Sequence, residues 1–183
     1  WKLDQCADCK ALLGPERLRQ EQARADAVRQ QDGQFSSGER AEAMHCRGVR
    51  IRWLLAFTFD HDCWDMPTWQ VVRDIIVPAT RDRRCRYAEL PSVCDFTGPA
   101  DVFMSHCWGA RWGDLVCAAC CGARADRIVW IDLFAVRQWP GNKADVDFRP
   151  VIARCKALIV AVSPIRQLEC FLPTRADHEA FLS

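Results

Sequence analysis

Three short segments carry the side chains that could do chemistry: Ser105-His106-Cys107-Trp108, Asp132-Leu133-Phe134 and Ser163-Pro164. Each follows directly on an apolar run, which makes each the end of a strand. In α/β sheets, ligands bind beyond the carboxyl ends of the strands. A hydroxyl, an imidazole, a carboxylate and two indoles, Trp108 and Trp139, would converge there. The competing reading is that His106 and Asp132 only satisfy backbone groups of their own loops. Ser105 and His106 are not expected to form a nucleophile–base pair, because neighbours on a strand point to opposite faces.

Other chemistries have weaker signals. Gly109-Ala110-Arg111-Trp112-Gly113-Asp114 lacks the Lys-Ser/Thr end of a phosphate loop, and no G-x-G-x-x-G occurs. A helix starting near Asp114, with Arg111 beside it, would still favour an anionic ligand. Cys6-x-x-Cys9 has the spacing of half a zinc site, and is the weak metal candidate. Cys117, Cys120 and Cys121 also follow metal-like spacing, but at i, i+3, i+4 on a helix they read as a face packed on the sheet. His45-Cys46 and His61-Asp62-Cys63 are too scattered to predict a metal, and none is expected.

The elements that must position these groups follow from periodicity. Val102-Phe103-Met104, Ile128-Val129-Trp130-Ile131 and Ala157 to Val162 are continuous apolar runs. Helical stretches separate them, one capped by Asp114 and one by Asp147. Strands buried on both faces and alternating with helices are the pattern of a parallel sheet, here with its first strand central and helices on both faces. Upstream, Thr68 to Val77 reads as an amphipathic helix ended by Pro78. Glu39 to Phe59 begins helical, while its middle suits strand or helix. Cys85 to Leu90 reads as an edge strand, and Arg81, Arg83, Arg84 and Arg86 as a solvated turn. Pro15 to Gln31 is a helix with almost no apolar stripe. The organisation is therefore a helical, flexible extension (1–38), a helical lead-in with an edge strand (39–99) and an α/β domain (100–183).

Composition excludes several classes. Half of the 183 residues are hydrophobic and 27% are charged, which excludes a wholly disordered or fibrous chain. The net charge is +1 and the pI about 7.6, without the basic field of a nucleic-acid binder. The longest apolar run, Trp53 to Phe59, falls far short of the roughly 20 residues of a membrane span. No nucleic acid and no membrane is expected as a partner. Twelve cysteines lie below the share that marks a disulfide scaffold. Cys107, Cys117, Cys120, Cys121 and Cys155 sit in apolar periodic segments, which suits a reducing, cytoplasmic setting. Without a starting Met or a basic-then-apolar leader, the chain reads as a fragment.

Asp101-Val-Phe-Met-Ser105-His-Cys-Trp-Gly109, Val129-Trp-Ile-Asp132-Leu-Phe-Ala-Val-Arg-Gln138 and Ala157-Leu-Ile-Val-Ala-Val-Ser163-Pro164 together resemble the TIR-like (Toll/interleukin-receptor-like) superfamily. The Ser-x-x-Trp-Gly and Trp-Ile-Asp pieces are also similar to its heterokaryon-incompatibility branch. Met66 to Pro91 looks like the lead-in of one TIR-like group. The resemblance spans about residues 64–176.

The resemblance implies a flavodoxin-like fold, a signalling or assembly role, and self-association or association with other TIR-like domains. In some members it implies hydrolysis of NAD at the nicotinamide–ribose bond, which makes NAD a candidate substrate, with no cofactor required. The loop from Phe134 to Asp147, with Gln138 and Trp139, would match the loop used for assembly and for gating the pocket. Ser105, His106, Trp108, Arg111, Asp132, Phe134, Gln138 and Trp139 are thus the candidate ligand-binding residues. The family's catalytic Glu lies on the helix after the third strand. This chain follows that helix only through Thr174-Arg175-Ala176, so Glu169 and Glu179 are the candidate catalytic carboxylates. The fourth and fifth strands of the family would be missing.

Overall fold

A computed structural model describes residues 42–162, together with the single helical residue Ala23. The expectations for Cys6, Cys9, the helix from Pro15 to Gln31, Ser163, Glu169 and Glu179 lie outside the described residues, Ala23 excepted.

The described chain is α/β. Strands β1 (Gly48–Arg50), β2 (Thr97–Gly98), β3 (Val102–Ser105), β4 (Ile128–Trp130) and β5 (Ala157–Val160) form one sheet in the order β2-β1-β4-β3-β5. The three apolar runs are parallel, with β3 in the centre. Phe103 lies opposite Trp130 of β4 on one side and opposite Leu158 of β5 on the other. The sheet is mixed rather than purely parallel, because β1 and β2 extend it antiparallel beyond β4. Gly48 makes that extension possible: a Cβ there would lie 2.7 Å from Ile128 Cγ2 and 2.9 Å from the Ala100 Cβ.

Helices cover both faces. On one face lie α1 (Ile51–Asp60), α2 and α3 (Trp112–Cys120). The second of these starts as Thr68–Val71, widens into a π-helical turn, Val72–Ile76, and closes with Val77–Ala79. Their inward residues, among them Leu54, Val71, Ile76, Leu115, Val116 and Ala119, pack with Val102, Met104, Val129 and Ile131 of the sheet. Burial of each such aliphatic side chain contributes about 1.5–3 kcal/mol. Trp112 ties α3 to α1: its Nε1–H donates to Thr58 Oγ1 at 3.0 Å, and that hydroxyl donates to the Leu54 carbonyl at 2.7 Å. The smaller opposite cluster joins Met44, Phe103, Trp130 and Val136 to Val151 of α5 (Arg149–Ile152), with Phe103 stacked on Trp130 at 5.0 Å. A short helix α4 (Asp132–Ala135) begins directly after β4.

Several local expectations are corrected. Cys85 to Leu90 is not a strand but holds a 3₁₀ turn, Tyr87–Glu89, because Glu89 folds back to accept the Arg86 backbone N–H at 3.1 Å. The middle of the 39–59 block is both strand and helix, since β1 runs straight into α1. Pro78 does not end α2; the wider π turn ahead of it absorbs the missing N–H and the ring. Asp114 and Asp147 are not caps. The helices begin at Trp112 and Arg149, and the carboxylates instead bind Arg111 and Arg149.

The cysteine face is also corrected. The inward face of α3 is Trp112, Leu115, Val116 and Ala119, while Cys117 and Cys121 are exposed and Cys120 is half-buried. Cys107 is exposed as well, and Cys155 half-buried. The arginine run is a solvated turn only at Arg81 and Arg83, which are exposed; Arg86 is buried, and the Arg84 guanidinium stacks 3.7 Å from the Trp139 ring centroid.

Candidate functional site

The loop that follows β3 is held by backbone bonds from the chain entering α2. Thr68 N–H donates to the Ala110 carbonyl and Trp69 N–H to the Trp108 carbonyl, both at 2.9 Å. In return, Trp112 N–H donates to Met66 O at 2.7 Å and Gly113 N–H to Trp64 O at 2.9 Å. Residue 113 must be glycine at this crossing, since a Cβ would stand 2.8 Å from the Trp64 carbonyl oxygen. These contacts take up the first amides of α3, and Arg111 is bound to Asp114 at 2.7 Å and Asp65 at 3.2 Å. The groups expected to attract an anion therefore hold the loop together.

The fixed loop sets His106 and Trp108 over the end of β4. Trp108 Nε1–H donates to Asp132 Oδ2 at 3.1 Å, while Asp132 Oδ1 accepts the Leu133 backbone N–H at 2.7 Å. His106 Nε2 faces that same Oδ1 at 3.7 Å, too far for a hydrogen bond. The imidazole is only 3% exposed, and its Nε2 has no hydrogen-bond partner among the described residues. Burial pushes the His106 pKa down, and Asp132 only partly opposes this. The result is an imidazole beside a carboxylate already engaged by an indole and an amide. That is a proton acceptor next to a fixed hydrogen-bond acceptor, at the strand ends where α/β proteins bind ligands. Half-buried Ser105 adjoins it, its backbone carbonyl accepting Ala161 N–H at 2.8 Å.

The other candidates lie elsewhere. Phe134 is fully buried among Trp53, Phe57, Tyr87 and Trp112, with ring centroids 5.1–5.8 Å away, so it belongs to the core. Trp139 is buried against the lead-in, where its Nε1–H donates to Thr80 Oγ1 at 2.9 Å. Gln138 is half-buried and donates to the Val136 carbonyl within its own loop. Among the described residues, no group of three or more His, Cys, Asp or Glu side chains could hold a metal ion. The nine cysteines described are free thiols.

A feature without a sequence expectation governs the same loop. Asp145 is buried and receives Arg86 Nε at 2.8 Å and Nη2 at 2.6 Å, Arg47 Nη1 at 3.1 Å and the Arg137 backbone N–H at 3.0 Å. Burial pushes the Asp145 carboxyl up, but the hydrogen bonds and charge of Arg86 outweigh it and hold the pKa below the usual value. Gly141, at φ 92°, turns the chain into the 3₁₀ segment Asn142–Asp145 that delivers the carboxylate. Glu89, three residues after Arg86, also binds the guanidinium, at 2.8 Å.

The fold and site define an α/β protein with a mixed five-stranded sheet and a His–Asp–Trp cluster at its parallel strand ends. No family model, no curated protein and no solved structure matches the chain. Among the described residues, no helix is long and apolar enough to cross a membrane.

Proposed function

We propose that this chain is a TIR-like signalling module that works by assembling with copies of itself. The observation that carries this reading is that, among the described residues, β5 is an edge strand with no neighbour beyond it. Leu158 and Val160 are 53% and 58% exposed and, as alternate residues, share one face of the strand; Val162, just beyond it, is 75% exposed. Ala157 to Val162 contains no charge and no proline, the devices that normally guard an edge strand. The flanking Lys156 is held by Asp101 at 2.7 Å, which keeps its charge off the edge. The run suits its own copy: two β5 strands related by a twofold axis pair antiparallel and set Leu158 and Val160 against apolar counterparts. The resemblance to TIR-like domains implies the same behaviour.

The test is the mass of the 183-residue chain in solution by light scattering over a dilution series, beside Val160→Lys. Residue 160 is exposed, so the variant keeps its core. Assembly of the parent chain and a monomeric variant are expected. A parent chain that stays monomeric, or a variant that still assembles, contradicts the reading.

A second reading, hydrolysis of NAD at the nicotinamide–ribose bond, is favoured by the cluster of His106, Trp108 and Asp132 at the strand ends. Such a reaction needs a carboxylate aimed at the positive charge that builds on the ribose, and Glu169 and Glu179 lie outside the described residues. Assembly without catalysis predicts no nicotinamide release from NAD. Release that disappears with Glu169→Ala or Glu179→Ala would reverse the order of the two readings.

A further inference from the structure

Cysteine is among the side chains most often buried, yet the end of α3 leaves the Cys117 and Cys121 thiols exposed, with only Cys120 packed partly against the core. Trp112, Leu115, Val116 and Ala119 fill the inner face, while Cys117 and Cys121 are exposed and Cys120 is half-buried. The turn ends the helix: Cys121 is already extended at φ −60° and ψ 119°, and Gly122 follows at φ 59°. A second observation is a cation fixed at this turn. Arg127 donates to the carbonyls of Ala119 and Cys121 at 3.2 Å and of Gly122 at 3.0 Å, fixing the backbone of the turn that carries the thiols.

We propose that the last turn of α3 is a reversible dithiol site, in which Cys117 and Cys120 form a disulfide when hydrogen peroxide reaches them. The Cys117 thiolate attacks one peroxide oxygen. The O–O bond breaks, the departing hydroxide takes up a proton as water, and Cys117 becomes a sulfenic acid. The Cys120 sulfur then attacks the Cys117 sulfur, the S–O bond breaks, and a second water leaves. Overall, two thiols lose two hydrogens and one peroxide becomes two waters. Burial and the adjacent Cys117 push the Cys120 thiol up, against a smaller downward pull from Arg127, which suits Cys120 to the second step. Residues three apart on a helix have Cβ atoms about 5–6 Å apart and a disulfide needs about 3.8 Å. The turn must tighten by about 2 Å, which the end of a helix permits where its middle does not. A small thiol such as glutathione reverses the bond by exchange.

Cleavage after Arg111 and Arg124 isolates Trp112–Arg124, which holds Cys117, Cys120 and Cys121 and no other cysteine. The intact chain is treated with hydrogen peroxide, alkylated and digested, and this peptide is weighed. The expected product has lost two hydrogens and keeps one alkylatable thiol, and glutathione restores all three. In Cys117→Ser, whose side chain points to solvent, the two-hydrogen loss disappears. A peptide that keeps three thiols, one that only gains oxygen, or a two-hydrogen loss that survives in Cys117→Ser overturns the proposal.

Discussion

Arg86 and Asp145, 59 residues apart in the chain, form a two-point ion pair in which both side chains are buried. The pair fastens the loop after α4 to the lead-in and fixes the entry to α5. Breaking a buried pair by removing one partner leaves a stranded charge, at about 3–5 kcal/mol. Asp145→Asn is therefore expected to lose stability of that order in denaturant titration. Replacing both partners with apolar residues, Arg86→Met with Asp145→Leu, is expected to recover only part of it, because Arg47 Nη1 and the Arg137 backbone N–H still lose their acceptor. Because Arg86 holds the folded carboxyl below its ordinary value, the contribution is complete above about pH 4 and is lost as pH falls through the folded pKa. A single variant as stable as the parent would show the pair to be incidental.

His106 predicts a pH dependence of the opposite chemical origin. Burial lowers its folded pKa below the ordinary 6.5, with Asp132 opposing in part. In the window between the two pKa values the unfolded chain binds the proton and the folded chain does not. Stability is therefore complete above about pH 6.5 and declines as pH falls below it. Melting temperatures measured from pH 8 to pH 5 are expected to fall, and to fall less in His106→Gln. A parent chain that gains stability on acidification would mean that the imidazole takes a proton to pair with Asp132.

Gly113 predicts a steric effect. An alanine Cβ there meets the Trp64 backbone carbonyl at 2.8 Å, and backbone cannot swing aside as a flexible side chain can. Gly113→Ala is expected to cost about 1–3 kcal/mol despite the better helix propensity of alanine. It should also loosen the loop that carries Trp108, read as faster hydrogen exchange at Thr68 and Trp69. Unchanged stability and exchange would show that this crossing does not fix the loop.

What the sequence revealed follows the range of each signal. The runs 102–105, 128–131 and 157–162 were legible as parallel strands because each is an uninterrupted apolar string; the first two are buried, whereas 157–162 keeps Leu158, Val160 and Val162 exposed, which the sequence did not reveal. Asp132, Trp108 and His106 could be grouped because strand ends in a parallel sheet lie on one side. The face of α3 was misassigned because 112, 115, 116 and 119 and 117, 120 and 121 both fit helical spacing, and periodicity alone does not say which set meets the sheet. The Arg86–Asp145 pair was hidden because no local spacing reports a contact across 59 residues. Phe134 and Trp139 carried no mark separating a core aromatic from a ligand-facing one. The antiparallel addition of β1 and β2 depends on a three-residue and a two-residue strand, too short for alternation to register.

The central claim, assembly through the outer edge of β5, is tested most directly by hydrogen exchange of the backbone amides from Leu158 to Val162 at low and high protein concentration. Pairing of β5 with its copy predicts that the amides turned away from β3 become protected as concentration rises. It also predicts that Val160→Lys removes this protection while leaving that of β3 and β4 intact. Outward amides that exchange equally fast at every concentration, or protection unchanged by Val160→Lys, would contradict it.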